Sequence, residues 1–421
     1  MTRSQIAAPV VLAALLFPPG PAPAQEIAPM ETSPAGHPAV RRALEHVAET
    51  EERTISEQIA ICEIPAPPFG EAERAAAYRD HLAALGLERV RIDAEGNVIG
   101  ERPGAGEGPT VVLSAHLDTV FPEGTDVTVE REGPVLKGPG IGDDCRGLAV
   151  LLAIVRALDF AGIETRGDLL FLGTVGEEGR GDLRGVRHLF TSEIGDRIDA
   201  FVSVDGGGLD LVKDAVGSHR YRVVYSGPGG HSYGDFGMPS PIHALGRAIA
   251  RIAELEVPEH PKTTFNVGVI EGGTSINSVA YEGSMLVDLR SLDPAELADL
   301  DARFREAVEA GRAAESARDP DTPLAVEVEN VGIRPAGTQP HDAPIVRAAV
   351  DAAEPLGFEP ALKAASTDAN IPISLGVPAI TIDGGGESEG AHSLEETFDT
   401  TDSHLGSQWA LLTAIHLAGL R

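Results

Sequence analysis

The sequence has 421 residues, 42% of them hydrophobic, and a formal net charge of -32 at pH 7. A chain of this length exceeds one typical domain and holds enough apolar residues for buried cores. The charge excludes a general affinity for nucleic acid or anionic membranes, because phosphate binding needs basic clusters that the sequence lacks.

The first residues have the composition of an export signal. Arg3 supplies a positive charge, residues 6–17 are mostly apolar, and Ala22-Pro-Ala24 offers the small residues of a cleavage site. The apolar stretch is shorter than the about 20 residues that span a bilayer, and no comparable segment follows it. We therefore expect a signal peptide at residues 1–24, no membrane span, and a mature protein that is periplasmic or secreted.

Several apolar runs end in polar residues that suit a metal site. The run at 110–115 is followed by His116 and Asp118, whose side chains point the same way from an extended segment, so Asp118 can orient His116 from behind. Asp143 follows a glycine-rich turn and precedes an apolar helical pattern. Later runs end in the same way, at Glu177-Glu178, at Asp205 and, after three glycines, at His392. Open α/β sheets place their sites at such carboxyl ends of strands.

Hydrophobic periodicity predicts two alternating α/β stretches with an insertion between them. The outer stretches comprise helices at 71–85, 343–356 and 405–420 and strands at 168–175, 200–204 and 378–382. The insertion comprises strands at 219–225, near Phe265, near Leu286 and at 324–328, and helices at 241–255 and 294–314. Its βαββαβ order is that of a ferredoxin-like domain. We place the main domain at 30–214 and 331–421 and the inserted domain at 215–330.

From about Ala60 onward, ordered motifs resemble the two-zinc exopeptidases and deacylases. That family includes peptidase T, glutamate carboxypeptidase, aminoacylase and succinyl-diaminopimelate desuccinylase. The motifs in this chain are Ser-Ala-His116-Leu-Asp118, Gly-Asp143-Asp144, Glu177-Glu178-Gly, Val-Asp205-Gly, Gly-Gly-His231-Ser, Asn277-Ser-Val and Ala-His392-Ser. The resemblance implies an α/β two-metal exopeptidase catalytic domain with an inserted α+β ferredoxin-like lid or dimerisation domain.

The resemblance also implies a ligand set for two divalent metal ions. His116 and Asp205 would bind one ion, Glu178 and His392 the other, and Asp143 would bridge them. Imidazole and carboxylate donors suit Zn²⁺, with Co²⁺ or Mn²⁺ as alternatives, and a bridging carboxylate can hold two ions about 3.5 Å apart. Glu177 would be the general base that takes a proton from a metal-activated water, supported by Asp118 as a further catalytic residue.

Four further residues are predicted to take part in catalysis or substrate binding. In the family the residue that matches His231 stabilises the oxyanion, often from the partner subunit of a homodimer. Asn277 and Arg290 would contact the substrate, and the guanidinium fork of Arg290 suits a carboxylate. Asp368 would either line the substrate pocket or cap a helix.

The expected reaction is hydrolysis of small peptides. An Asp at the position of Asp205 accompanies aminopeptidases and dipeptidases in the family, so we expect a zinc-dependent enzyme of the aminopeptidase, dipeptidase or tripeptidase type. The alternative is an N-acyl-amino-acid deacylase or a glutamate-carboxypeptidase-like amidohydrolase on the same site.

The turn at Asp143 departs from the family pattern. Relatives commonly have a lysine at the third position, where this chain has Cys145, and the role of Asp144 stays open. Cys145 is compatible with an inert buried thiol, with an additional soft metal ligand, or with a disulfide to Cys62. Two cysteines in an exported protein are compatible with a disulfide bond between them.

Overall fold

The structure is a computed structural model that describes residues 33–106 and 108–421. The predicted signal peptide at 1–24 lies outside the described residues and stays a prediction. Among the described residues, no helix combines the length and the apolar character needed to cross a bilayer.

Helices and strands alternate along much of the described chain. The helices are α1 Pro38–Glu49, α2 Glu51–Cys62, α3 Ala72–Ala84, α4 Cys145–Ala161, α5 Arg184–Thr191, α6 Pro241–Ala253, α7 Pro294–Ser316, α8 Pro344–Ala353, α9 Asn370–Ser374 and α10 His404–Ala418. The first strands are β1 Glu88–Ile92, β2 Val98–Arg102, β3 Val111–His116, β4 Glu130–Glu132, β5 Val135–Lys137, β6 Leu169–Thr174, β7 Ala200–Val204, β8 Leu211–Ala215 and β9 Gly217–Ser226. The others are β10 Gly230–His231, β11 Thr263–Gly272, β12 Ser278–Val279, β13 Glu282–Ser291, β14 Ala325–Arg334, β15 Leu362–Ala365, β16 Ala379–Ile382, β17 Glu387–Glu389 and β18 Thr397–Asp399.

A mixed eight-stranded sheet forms the centre of the main domain, in the order β1-β2-β6-β3-β7-β16-β8-β15. The neighbours β6, β3, β7 and β16 run parallel to one another. Their carboxyl ends therefore meet at one edge, and the residues that follow these strands are brought together there.

Helices cover both faces of this sheet, so its central strands are buried on both sides. Every residue of β3, β6 and β7 is buried, which explains why they read as continuous apolar runs rather than as alternating patterns. Leu113 in the middle of β3 is fully buried, and its replacement by alanine should cost about 2–5 kcal/mol. The strands are thus a rigid support for the residues at their ends.

Helix α4 packs against the sheet and against α1, α2 and α10. It is apolar on nearly every side because it is enclosed on nearly every side. The helix begins after Asp144, whose side chain accepts the Gly147 N–H, and ends at Gly162 in the left-handed conformation (φ 63°). The cap at Asp144 fixes where α4 begins and therefore the position of the preceding turn, which contains Asp143.

The inserted domain has its own sheet, in the order β11-β13-β9-β14, with α6 and α7 packed on one face. Tyr221, Val223, Met285 and Val287 point from the strands into this helix-covered core. The other face of the sheet carries no helix among the described residues. The observed order is βαββαβ apart from the two-stranded pair β10 and β12, so the predicted ferredoxin-like insertion is confirmed.

The predicted elements agree with the structure in type, and their bounds differ by a few residues. The sequence predicts that β14 ends at 328, but the strand continues to Arg334, so the domain boundary placed at 330 falls inside it. The short sheet β17-β18-β5-β4 is absent from the sequence prediction. Its strands have three residues each, which is too short for alternation to register in the sequence.

Candidate metal centre and active site

His116 is the last residue of β3, and one of its ring nitrogens makes a hydrogen bond to the backbone. Its Nδ1 lies 2.9 Å from the Asp118 carbonyl oxygen, to which it can only donate. This contact leaves Nε2 without a proton in the neutral ring, and Nε2 lies 2.9 Å from Asp143 Oδ1 and 3.7 Å from Asp205 Oδ1. An unprotonated Nε2 among carboxylates is the form in which histidine binds a metal ion.

The Asp143 carboxylate lies between the two histidines that the sequence predicts as ligands. Its Oδ1 faces His116, and its Oδ2 lies 3.0 Å from His392 Nε2. His392 Nε2 is in turn 3.0 Å from Glu178 Oε1. Among the described residues, three groups have metal-binding spacing: His116-Asp143-Asp205, Asp143-Glu178-His392 and His116-Glu177-Glu178. The first two share Asp143 and together contain the five predicted ligands.

The donors of these two groups fit divalent ions. Within each group the donor atoms lie within 4.8 Å of one another. Imidazole nitrogens and carboxylate oxygens are the donors that zinc takes, and three protein donors leave room for water or substrate. Burial raises the pKa of Asp143, but His116 and His392 outweigh it and hold this pKa well below its usual range. Protonated His116 and His392 therefore favour the ionised form of this carboxyl group, which is the form that binds a metal ion.

The Asp118 carboxylate contacts the glutamate pair. Its two oxygens accept the backbone N–H groups of Glu177 and Glu178 at 3.0 and 2.8 Å. The carboxylate is 3.8 Å from His116 Nδ1, whereas the backbone carbonyl of the same residue is at 2.9 Å. The orienting contact that we expected from the Asp118 side chain is thus made by its backbone, and the side chain fixes the segment that carries Glu177.

Glu177 is buried and faces a cation that the sequence reading missed. Its Oε1 accepts a hydrogen bond of 2.9 Å from Arg334 Nη1, and the Arg334 guanidinium also contacts the Glu177 carbonyl oxygen. Burial raises the pKa of Glu177 well above the ordinary value, and Arg334 opposes that increase. A carboxylate whose proton affinity is raised in this way can act as a general base.

Glu396 is a second residue that the sequence reading missed. Its buried carboxylate accepts the N–H groups of Gly140, Gly142 and Asp143 at 2.9, 2.9 and 3.1 Å. It lies four residues after His392, so one side chain joins the turn of Asp143 to the segment of His392. In the sequence, Glu395-Glu396 is indistinguishable from a solvated surface pair.

The neighbours of Asp143 have structural roles. Asp144 is fully buried and accepts the N–H groups of His116 and Gly147, each at 3.0 Å. Cys145 forms a disulfide with Cys62, with a Cα–Cα distance of 5.4 Å. Of the three states left open for Cys145, the structure contains the disulfide, which ties α2 to the start of α4.

A cleft of about 540 Å³ opens at the metal centre. Asp143, Glu177, Glu178, Asp205, His392, Arg220, Arg290, Arg334 and Ser366 are among its lining residues. Arg290 is therefore where the sequence predicts a substrate contact. Asp368 does not line the cleft: it is buried behind the wall, where Thr174 Oγ1 donates to its Oδ2 at 2.6 Å.

His231 and Asn277 lie together on the inserted domain, where β10 pairs with β12. Both are exposed, and neither lines the cleft at the metal centre. The N–H groups of Tyr233 and Gly234 donate to His231 Nδ1 at 3.2 Å each. Nδ1 is therefore an acceptor, and the neutral ring carries its proton on Nε2, where it is available as a donor.

Comparisons with known proteins give a family match, curated relatives and a solved structure of similar fold. The description Peptidase family M20/M25/M40 belongs to the family model that matches residues 112–416. The Uncharacterized protein YqjE of Bacillus subtilis is 27% identical over 348 residues, which cover 79% of this chain and 90% of that protein. Succinyl-diaminopimelate desuccinylase of Leptothrix cholodnii is 31% identical over 236 residues, or 49% of this chain and 60% of that one. The crystal structure of aminopeptidase PepT from Bacillus cereus has a TM-score of 0.72 at 23% identity, covering 88% of this chain and 99% of that chain, a likeness in fold.

Proposed function

Because the chain belongs to peptidase family M20/M25/M40 and is a metal-dependent hydrolase, we propose that it is an exopeptidase for small peptides with two divalent ions at its site. The observation that carries the proposal is the position of Asp143, whose two carboxylate oxygens each face a different histidine. The expected pairing follows from it, with His116 and Asp205 on one side and Glu178 and His392 on the other.

The protein's own residues supply the proton transfers and the positioning. Two divalent ions at this centre would polarise the scissile carbonyl and lower the pKa of a water molecule. Glu177 accepts a proton from the attacking water and passes it to the leaving nitrogen. The Arg334 ion pair and the Asp118 contacts hold Glu177 in place for both transfers.

The direct test is a substrate panel. The purified protein, supplied with Zn²⁺, would be assayed on Ala-Ala, Ala-Ala-Ala, N-acetyl amino acids and N-succinyl amino acids, with Glu177→Gln as the matched inactive control. We expect kcat/KM for the peptides to exceed that for the acyl amino acids by at least about tenfold. The reverse order would replace the peptidase proposal with the deacylase alternative.

The deacylase alternative has its own support. A succinyl-diaminopimelate desuccinylase is among the relatives, and Arg220 and Arg290 bring two guanidinium groups to the cleft wall. A guanidinium suits the free carboxylate of a succinyl group as well as that of a peptide. The substrate panel separates the two functions, because both classes of substrate are offered to one enzyme.

We propose Zn²⁺ as the native metal, with Co²⁺ or Mn²⁺ as the alternatives, because imidazole and carboxylate donors occur together at the centre. Elemental analysis should find up to two ions per chain in the wild type. In His392→Ala we expect one ion to be retained, since the group around His116 is untouched. Two ions in that variant would remove His392 from the site.

A homodimer through the inserted domain would complete the site. The free Nε2–H of His231 suits an oxyanion, and the residue is exposed rather than in its own cleft. Large apolar side chains around it are also exposed, with Tyr233 at 89%, Phe236 at 84% and Ile276 at 104%. Exposed apolar groups of this kind mark interaction surfaces. Light scattering should give twice the chain mass, and a monomer that is fully active would overturn the proposal.

Export to the periplasm or the medium is supported by the disulfide between the buried Cys62 and Cys145. Disulfides form and persist in oxidising compartments and are rare in the cytosol. The proposal predicts a mature protein that lacks residues 1–24 and has no free thiol. A full-length protein with two reactive thiols in the cytoplasmic fraction would contradict it.

A further inference from the structure

The uncovered face of the inserted sheet forms a groove of about 600 Å³ that continues from the metal cleft. The groove and the cleft share Gly179 and Arg220 as lining residues. The Arg220 guanidinium donates to the Gly179 carbonyl oxygen at 2.9 Å, which places the inserted sheet beside the segment that follows Glu178. A molecule bound at the metal centre can therefore extend into the groove without leaving the surface of the protein.

Strand register gives the order of side chains along this path. Asp288 lies opposite Arg220, and Leu286 lies opposite Arg222, on the neighbouring strands β13 and β9. Arg220 and Arg290 reach the metal cleft, whereas Leu286 and Arg222 line only the groove. At about 3.4 Å per residue, the second pair lies about 7 Å farther along the sheet, the length of two extended peptide residues.

The far part of the groove offers an apolar strip beside an unpaired cation. Val269 is the partner of Leu286 in the strand register, and both side chains are exposed, at 41% and 40%. Within residues 33–106 and 108–421, no carboxylate lies within ion-pairing distance of Arg222, although Glu329 is opposite it on β14. By contrast, Arg220 and Arg290 share Asp288, at 3.4 and 2.6 Å.

We propose that this groove is a binding site for the carboxyl-terminal residue of a longer peptide substrate. An apolar side chain of that residue packs on Leu286 and Val269, and its terminal carboxylate pairs with Arg222. Glu271 and Glu329 also line the groove, so it is Arg222, which has no ion pair among the described residues, that favours the carboxyl end of the peptide at this distance from the metal centre. This inference rests on the proposed peptidase function and adds a preference for peptides that extend two residues beyond the one beside Arg220.

The test compares a tetrapeptide, Ala-Ala-Ala-Leu, with the same peptide amidated at its carboxyl terminus. In the wild type we expect kcat/KM for the free acid to exceed that for the amide by about tenfold, the scale of one charge-assisted contact. Arg222→Gln should reduce this ratio to near one, and Leu286→Asn should reduce the preference for a terminal Leu over Gly. Arg251→Gln is the matched control, because Arg251 is an exposed arginine on α6. It should leave the ratio as in the wild type.

Two results would overturn the inference while leaving the peptidase function in place. One is a wild type that cleaves dipeptides but not the tetrapeptide, and the other is an acid-to-amide ratio that Arg222→Gln does not change. A wild type that hydrolyses acyl amino acids and no peptide of any length would refute the proposed function, and this subsite would fall with it.

Discussion

Asp383 offers a test of how charge is balanced beside the metal centre. It follows β16, and its Oδ2 accepts the Asp210 N–H at 2.8 Å, which holds the segment after Asp205. Burial raises the pKa of Asp383 from 3.8 to about 7, and the Asp210 N–H opposes that increase. Asp383→Asn keeps an oxygen that can accept this N–H and removes the charge.

The raised pKa of Asp383 determines how the free energy of unfolding changes with pH. The carboxyl group of Asp383 binds its proton more tightly in the folded than in the unfolded chain. Its protonation therefore stabilises the fold fully below about pH 4, and this contribution to the free energy of unfolding is lost as the pH rises to about 7. The pKa difference corresponds to about 4 kcal/mol, and partial contact with solvent lowers our expectation to about 2 kcal/mol. The asparagine variant should therefore be more stable than the wild type by about 2 kcal/mol at pH 8.5 and about equal at pH 4.

The assay is urea denaturation of the metal-free protein at both pH values, with a chelator present. Asp342→Asn, at an exposed aspartate, is the control and should follow the wild type. The reasoning is refuted if Asp383→Asn is less stable at pH 8.5, or if its difference from the wild type does not depend on pH.

Three further predictions concern the catalytic centre. Glu177→Gln should keep the metal content of the wild type yet lose about 10²-fold or more in kcat, and near-normal turnover would remove it as the proton carrier. Glu396→Gln should weaken Zn²⁺ binding about tenfold in a chelator competition, because the amide cannot accept all three N–H groups at the Asp143 turn. Glu395→Gln, which alters only an exposed partner of Lys137, should bind Zn²⁺ as the wild type does. After subunit exchange, a mixture of His231→Ala and Glu177→Gln chains should regain activity if His231 serves the partner's site, and no recovery would refute that arrangement.

The parts of the site that could be read from the sequence are those that lie at the ends of buried strands. His116 is the last residue of β3, Glu178 follows β6 and Asp205 follows β7, and each strand is a short apolar run in the sequence. Because parallel strands end at a common edge of the sheet, polar residues at the ends of these apolar runs are also expected to lie close together. The ordered motifs predict Asp143 and His392 as ligands, and the structure brings both side chains next to Glu178.

The parts that could not be read depend on contacts between distant residues. Arg334 reaches Glu177 across 157 residues, and Glu396 reaches Gly142 across 254. A single arginine or glutamate in a polar segment carries no local signal of such a partner. For the same reason the sequence leaves three states possible for Cys145, since spacing along the chain does not determine whether Cys62 and Cys145 meet.

Asp368 shows a different limit of sequence reading. Its segment suggested a pocket residue, and the chain does pass the cleft there, but Ser366 lines the cleft while Asp368 points into the wall. Which of several neighbouring polar side chains faces a cavity is decided by the backbone path, which composition does not specify. Because Asp368 is buried in this wall, a substrate contact by Asp368 would require the wall to open.

The claim that Asp143 joins two metal ions is tested most directly by calorimetric titration of the metal-free protein with Zn²⁺, in the wild type and in Asp143→Ala. We predict two equivalents bound to the wild type and a weakening of both by at least about tenfold in the variant, because Asp143 contacts the histidines of both groups. A wild type that binds a single equivalent, or a variant that retains both equivalents at wild-type affinity, would contradict the account.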